Sequence, residues 1–567
     1  MDRLLQQRPG LADTLAPMPD PVAGRPVQAA SFRNADAWLP DTLRHSPPPA
    51  LPSCSVVQVE SAGNRPLVTI PRGTELTTKA QPACRFRTIY DVAVAPLAIA
   101  AARFVPCVDI PPTLGVPAGA ACAIVIAIES TDPAIALDDA AASPIRLFID
   151  ADPATRAALH DALFTRTLCT CVQAGRQWSQ LAALPFAPVG CAADEALLPA
   201  AADRQPGGPS PGERHGLRLL AEYFAFPEKF DFFDIDLAPA LARCPAGTLR
   251  LVLHVLLPAL PSAGSLQSLA PSMLRLGCTP VVNLFSRAAE PLPIAAQRNT
   301  YPLRAFPLAE ADASLYSVDA VTLLQAASDA GLAIELPRFE ALRRVQADRY
   351  WLVRHAGTAG GPEATISFVD SEQRPLALRG GTVAVQLTCT NGDAPASLPI
   401  GRPDGDLTGS GAAGCNPVRF LRRPSISFAR ASQHGRAWRQ FAAHASGDCA
   451  STQAALPALL ALLRLHAPAD SAAVQRQLAG IVSLDQRPVK AWLRFPQGAA
   501  YMHGVEVRLA VDVAAFDRSS VFVFAQVMER LFAGYAGEES FARLVVVDLA
   551  GRELVRCAAR ADGVLPV

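Results

Sequence analysis

Leu217–Ile235 reads LRLLAEYFAFPEKFDFFDI. Tyr223, Phe224, Phe226, Phe230, Phe232 and Phe233 fall within eleven residues of a chain that is only 6% aromatic. Leu217, Leu220, Ala221 and Phe224 recur at i, i+3, i+4 and i+7, the spacing of one helical face. Pro227 stops that helix, because its ring clashes with the preceding turn and it has no N–H to give. Residues 229–236 then read as a strand. A helix that breaks into an aromatic strand makes a knot of core on which sheets can pack from either side, and aromatics of this density are ordinarily buried.

Around this knot the chain is long, 567 residues, too long for one core, so three or four domains are expected. Half the residues are apolar, mean hydropathy is +0.21, and 51 basic residues balance 51 acidic ones. Such neutrality gives no long-range attraction for nucleic acid or anionic lipid. Proline makes up about 9% of the chain, against the usual ~5%, and sits between short apolar runs, as β-rich domains with many turns require. The opening MDRLLQQRPG lacks the apolar stretch of a signal peptide. The best apolar run, Val92–Val108, is broken by Pro96, Arg103 and Pro106, so no membrane-spanning segment is expected. Thirteen cysteines, an odd number, suit reduced thiols in a cytoplasm.

In chain order, residues 1–53 read as a proline-punctuated arm with at most a short helix at 31–43. Residues 54–202 read as a β-rich domain. Its expected strands lie near Val56–Val59, Val68–Ile70, Cys84–Val94 and Ala121–Glu129, with helical spacing over Pro153–Cys169. Residues 203–395 form a central domain that opens with a Gly/Pro linker (203–216) and the aromatic knot. It continues through strands at 249–257 and 382–389, where Val383, Val385, Leu387 and Cys389 share a face. Residues 396–567 read as an α+β domain. Trp438, Phe441, Ala442 and Ala445 give a helical face, Leu456–Leu465 a Leu-rich helix with Pro457 in its first turn, and Ser471 a helix cap. Val505–Val513 alternates strictly. Ser520 precedes a helix whose stripe is Phe524, Val527, Met528, Leu531, Phe532 and Tyr535, with Gln526, Glu529 and Arg530 opposite. A hairpin turns at Ala550-Gly551. The fold class is therefore multidomain, β-rich α+β, with antiparallel sheets and a C-terminal helix-covered sheet.

No constellation points to chemistry. Gly208-Pro209-Ser210-Pro211-Gly212 fits G-x-S-x-G in letters only, since a nucleophile elbow needs a strand before the serine and a helix after it. Gly409–Gly414 fits G-x-G-x-x-G, but Asn416-Pro417 blocks the helix that would hold a pyrophosphate. Cys169-Thr170-Cys171 lacks zinc spacing. Asp231, Asp234 and Asp236 read as outward or terminal residues of the aromatic strand rather than metal ligands. Arg419, Arg422 and Arg423 read as a solvated strand face or a rim for an acidic partner. No catalytic, metal or cofactor-binding residue is expected. Candidate core or interface residues are Phe224, Phe226, Phe230, Asn283, Phe285, Phe441, Phe524 and Phe532.

The knot, followed by CTPVVNLFSRAAEPL (Cys278–Leu292), resembles the TssF family, the VasA/ImpG-type baseplate subunits of bacterial type VI secretion systems. LVTIPRGTEL (67–76), CRFRTIYDVAV (84–94), YSVDAV (316–321), LTCTNGDAPASLPIG (387–401), VQRQLAGIVSLDQRPVKAWL (474–493) and the segment 503–541 follow in the family's order. The resemblance implies a non-enzymatic wedge subunit of a contractile injection machine. It would assemble with TssG, TssE and TssK and with a second copy of itself, at the cytoplasmic face of the inner membrane and its membrane complex, without nucleic acid. The family opens on a long helical segment of which residues 31–50 resemble only the end, so a reduced arm is expected. The competing readings are a paralogue that folds without assembling, and a hydrolase or ligand-binding protein whose site is built from distant residues. The broad Phe524–Tyr535 stripe suggests a helix that meets a partner chain as well as its own sheet. On that reading Phe532→Asp would cost assembly before folding.

Overall fold

The computed structural model describes residues 51–561 apart from 61–66, 108–109, 141–143, 199–210, 262, 295–297, 307–312, 326–331, 340–346, 356–363, 377, 379–380, 410–415, 428–451, 496–497, 535 and 537–539. Residues 1–50 of the expected arm, the helical face at Trp438–Ala445 with Phe441, Ser210, and Tyr535 lie outside these residues, whereas Leu51 and Ser53 at the arm's end are buried. Helices of eight residues or more among the described residues are named α1 (Pro153–Asp161), α2 (Pro211–Ala225), α3 (Thr452–His466), α4 (Ala472–Ala479) and α5 (Val521–Ala533).

Six short strands close an antiparallel barrel in the order Cys54–Val59, Cys278–Val282, Arg85–Thr88, Glu75–Thr78, Leu407–Gly409, Val418–Phe420. Closure leaves no strand edge unpaired. Val57, Phe86, Val281, Leu407 and Val418 fill its interior, and Phe86 meets Phe420 edge to face at 5.3 Å. Beside it, the five-stranded sheet of Gln177–Gln180, Cys169–Ala174, Arg250–Leu257, Cys122–Ser130 and Leu97–Val105 shares one core with a four-stranded sheet. That second sheet runs Phe186–Pro188, Phe232–Ile235, Ile145–Ile149, Leu274–Arg275. A sandwich follows, built on Thr382–Thr390 between Phe285–Ala288 and Ser314–Gln325 and faced by the sheet of Thr300–Leu303, Ala364–Val369 and Tyr350–His355. The last sheet runs Ile481–Phe495, Gly498–Val511, Ser540–Val547, Glu553–Arg556.

In that last sheet, Gly498–Val511 and Ser540–Val547 pair in parallel, unlike the antiparallel pairs around them. The cause is α5, which lies between them in the chain and carries it back over the sheet, as parallel neighbours require. Strand pairing also crosses the boundaries expected at 203 and 396. Phe232–Ile235 pairs with Ile145–Ile149, and Val418–Phe420 pairs with Cys54–Val59. Sequence periodicity identifies strands but is blind to partners hundreds of residues away.

Smaller differences have local causes. Helix α2 starts at Pro211, inside the expected linker, because proline is well suited to a first turn. Cys84–Val94 is two strands, Arg85–Thr88 and Val92–Val94, separated by a turn. Helix α3 starts at Thr452, which leaves Pro457 inside the helix. The 498–511 strand stops two residues before Val513, which is 47% exposed in a following 3-10 turn. Ser471 and Ser520 cap α4 and α5, accepting from the Val474 and Val523 N–H groups. No helix among the described residues is long and apolar enough to cross a membrane.

The described cysteines are free thiols and most are buried. Burial pushes the thiols of Cys54, Cys278 and Cys557 far up. The folded chain therefore keeps protons that the unfolded chain releases above pH ~8.5. Stability should fall as pH rises through the alkaline range, by up to ~1.4 kcal/mol per pH unit for each such thiol. A urea midpoint that is lower at pH 10 than at pH 8 is the expected result. Cys107, which is exposed, should be modified by a thiol reagent in the native protein while these three are spared.

Candidate functional site

The aromatic stretch joins three cores. Tyr223, Phe224 and Phe230 enter the C-terminal core. Phe226 and Phe232 enter a cluster against the barrel with Tyr90, Phe148 and Leu284. Phe233 and Ile235 enter the core between the two sheets. The alternation of the strand Phe232–Ile235 sends neighbouring aromatics to opposite faces, and the 3-10 turn Pro227–Phe230 returns the chain from the helix to that strand. Phe232 lies 5.2 Å from Tyr90 and 4.8 Å from Phe148, ring to ring.

A charged pair sits within this junction. Glu222, in α2, and Lys229, in the turn, are both fully buried and bonded to each other. The other Glu222 oxygen accepts the N–H groups of Leu197 (3.1 Å) and Leu198 (3.2 Å). Tyr90 Oη donates to the Lys229 carbonyl at 2.9 Å. Sequence reasoning passed over both residues, although a carboxylate inside LLAEYF and one of the chain's three lysines among phenylalanines were visible signals.

Asp231, Asp234 and Asp236 were expected at outward or terminal positions of the strand. Asp231 and Asp236 do flank it and Asp236 is exposed, but Asp231 is buried against Arg156 of α1. Burial pushes its carboxyl up to about 6 despite the guanidinium. Asp234 holds Arg146 through two bonds of 2.7 and 2.8 Å. Strand pairing sets Arg146 opposite Asp234 and helix α1 brings Arg156 to Asp231, so the aspartates tie the knot to the 145–149 strand and to α1. His160, 3.7 Å from Asp231, is pushed down to about 3 by burial, with Arg156 adding to the shift. It stays neutral. Of the arginines read as a solvated face, Arg423 is exposed and bonds the Leu398 carbonyl at 3.1 Å, while the half-buried Arg419 and Arg422 pair with Glu60 and Asp150, each at 2.6 Å.

Asn283 is fully buried. Its Nδ2 donates to the Arg85 carbonyl (2.6 Å) and to Asn391 Oδ1 (2.8 Å). Its Oδ1 accepts from Thr390 Oγ1 (2.8 Å) and the Asn391 N–H (2.6 Å). The NLF and TNG segments thus meet at one amide that fixes barrel to sandwich, with Phe285 on the sandwich side. Asn283→Ala would orphan several buried groups at ~1–3 kcal/mol each. A loss of about 2–4 kcal/mol in denaturant stability is expected, and an unshifted midpoint would refute the role of this node.

Helix α5 is enclosed. Phe524 is fully buried and Phe532 is 3% exposed. The backbone of Arg530–Leu531 approaches Gly216 of α2 so closely that a Cβ there would sit 2.8 Å from it. Gly216 permits that contact, and α2 covers the stripe that was expected to await a partner chain. Glu529, placed on the outer face by its spacing, is buried and paired with Arg530 and Arg560. Asp161, at the end of α1, accepts from Ser520 Oγ (2.6 Å) and from the N–H groups of Val521 (3.3 Å) and Phe522 (2.9 Å). A carboxylate from a distant segment therefore satisfies the first turn of α5 and complements its dipole.

The predicted residues Phe224, Phe226, Phe230, Asn283, Phe285, Phe524 and Phe532 thus all lie inside the chain, divided among several cores rather than gathered in one site. A cleft of about 570 Å³ between barrel and sheet carries Glu60, Asp91, Arg146 and Asp234 on its walls. Glu60, Arg146 and Asp234 are ion-paired, and Asp91 accepts the Arg72 N–H at 2.7 Å. Among the described residues no cluster of three or more His, Cys, Asp or Glu could hold a metal.

Comparison with known proteins agrees with this architecture. A family model described as "Type VI secretion system, TssF" matches residues 40–563. The chain is similar to the type VI secretion system component TssF1 of Pseudomonas aeruginosa, 27% identical over 548 residues, covering 87% of this chain and 83% of that one. Its fold is similar to a chain in a cryo-electron microscopy structure of a type VI TssK-TssF-TssG baseplate subcomplex. That match has a TM-score of 0.69 and 22% identity over 100% of this chain and 98% of that chain. A second likeness, to a chain of a type VI baseplate complex, has a TM-score of 0.51 and 17% identity over 100% and 97%.

Proposed function

Because the chain belongs to the TssF family of the type VI secretion system, we propose that it is a structural wedge subunit of the secretion baseplate. In this role it binds TssG-like and TssK-like subunits, with a TssE-like protein and a second copy of itself in the same wedge. It works by presenting rigid shape and makes or breaks no bond. The observation that carries the reading is the family match along nearly the whole chain. The buried ties between cores support it. Asn283, Glu222–Lys229, Arg156–Asp231 and Asp161 each fasten one core to another, as a subunit that transmits force without yielding requires. Assembly at the cytoplasmic face of the inner membrane belongs to the same proposal.

Co-expression with a TssG-like protein from the same source should yield a soluble complex near two copies to one. Recovery of the chain only as a monomer, with folded TssG-like protein present, would overturn the proposal.

A further inference from the structure

The hairpin of Ile481–Phe495 and Gly498–Val511 runs past the sheet that anchors it. Ser540–Val547 pairs along it only from His503 to Ala510. The hairpin's own pairing continues outward from Ala491↔Met502 to Phe495↔Gly498. This outer ribbon has two unlike faces. On one, Leu493, Ala491 and Met502 pack with Phe541, Ala559 and Ala561. On the other, Trp492 and Tyr501 are directly opposed with rings 5.4 Å apart, and they are 69% and 55% exposed. Lys490, Arg494 and His503 are exposed beside them. From Pro488 to Val505 there is no aspartate or glutamate, in a chain whose charges balance.

We propose that the Trp492–Tyr501 face is a docking surface for another protein, one that presents an apolar side chain set in an acidic strip. The inference rests on the assembly reading above and adds to it the place and chemistry of one contact. Large exposed aromatics flanked by cations have the composition of an interface anchor. The absence of acids between Pro488 and Val505 sets the sign of the complement. An anionic membrane fits less well, since two fixed cations fall short of the four to eight that lipid recognition uses. Nucleic acid fails on the same shortage. Edge-to-edge strand pairing is discouraged by Pro488, Lys490 and Arg494 along the outer strand.

The test places a photo-crosslinking amino acid at Tyr501 of the full chain, in cells expressing the whole secretion gene set. The expected result is a protein adduct that maps by mass spectrometry to a segment rich in Asp and Glu. It should drop at least about tenfold in Lys490→Glu/Arg494→Glu and in Trp492→Ala, with the thermal midpoint unchanged. The proposal is overturned by an absent adduct, by one on a segment without acids, or by one indifferent to charge reversal. Binding of the chain to phosphatidylglycerol-containing vesicles that is lost in Trp492→Ala would overturn it too. A TssG-containing complex that forms without the adduct sinks this inference alone. An acidic-segment adduct without that complex sinks the assembly reading and leaves this one standing.

Discussion

Lys229→Met should lower the stability of the chain by about 3–5 kcal/mol, the usual consequence of removing one partner from a buried ion pair. The carboxylate of Glu222 would keep the N–H groups of Leu197 and Leu198 but lose its counter-charge where no water reaches it. A domain holds only about 5–15 kcal/mol in total, so the loss should appear as a large fall in the urea midpoint followed by circular dichroism. Glu222→Gln together with Lys229→Met supplies the control. The amide oxygen still accepts the two N–H groups and no charge remains, so most of the loss should be recovered. If the single variant melts like the native chain, the pair is not what holds α2 to the turn.

Phe532→Asp should abolish folding of the C-terminal region rather than assembly. Emptying a buried phenylalanine site costs about 3–5 kcal/mol, and a carboxylate left there without a partner adds several more. The variant should be insoluble or lose its cooperative melt when expressed alone. Phe524→Ala, which leaves only a cavity, should remain foldable with a loss of about 3–5 kcal/mol. A well-folded Phe532→Asp monomer that merely fails to bind partners would restore the partner-facing reading of the stripe.

The two predictions mark how far the sequence could be read. Periodicity located α2, α5, the 382–390 strand and the C-terminal hairpin, because each carries its apolar face in one short window. Ser471 and Ser520 were readable as caps because capping is local. The order of motifs gave the family. What was hidden is long-range. Nothing near Phe532 says that Gly216, over three hundred residues earlier, lies against the same helix, so the stripe looked wider than one sheet could cover. Asp231 and Asp234 looked like solvent-facing punctuation because their partners, Arg156 and Arg146, come from another part of the chain. Asn283 was singled out only through the motif around it. Its four hydrogen bonds come from a geometry that no local pattern encodes.

The barrel also has a consequence in time. Its first strand, Cys54–Val59, and its last, Val418–Phe420, are separated by about 360 residues. At a ribosomal pace of ~5–20 residues per second, the opening strand waits about 20–70 s for its final neighbour. During that wait Cys54–Val59 has a bare edge and an apolar side, the features that recruit chaperones or neighbouring nascent chains. Any message truncated before codon 420 would release a product whose Cys54–Val59 strand never closes into its ring, so incomplete copies should be cleared by proteolysis rather than persist as dead-end competitors for wedge sites.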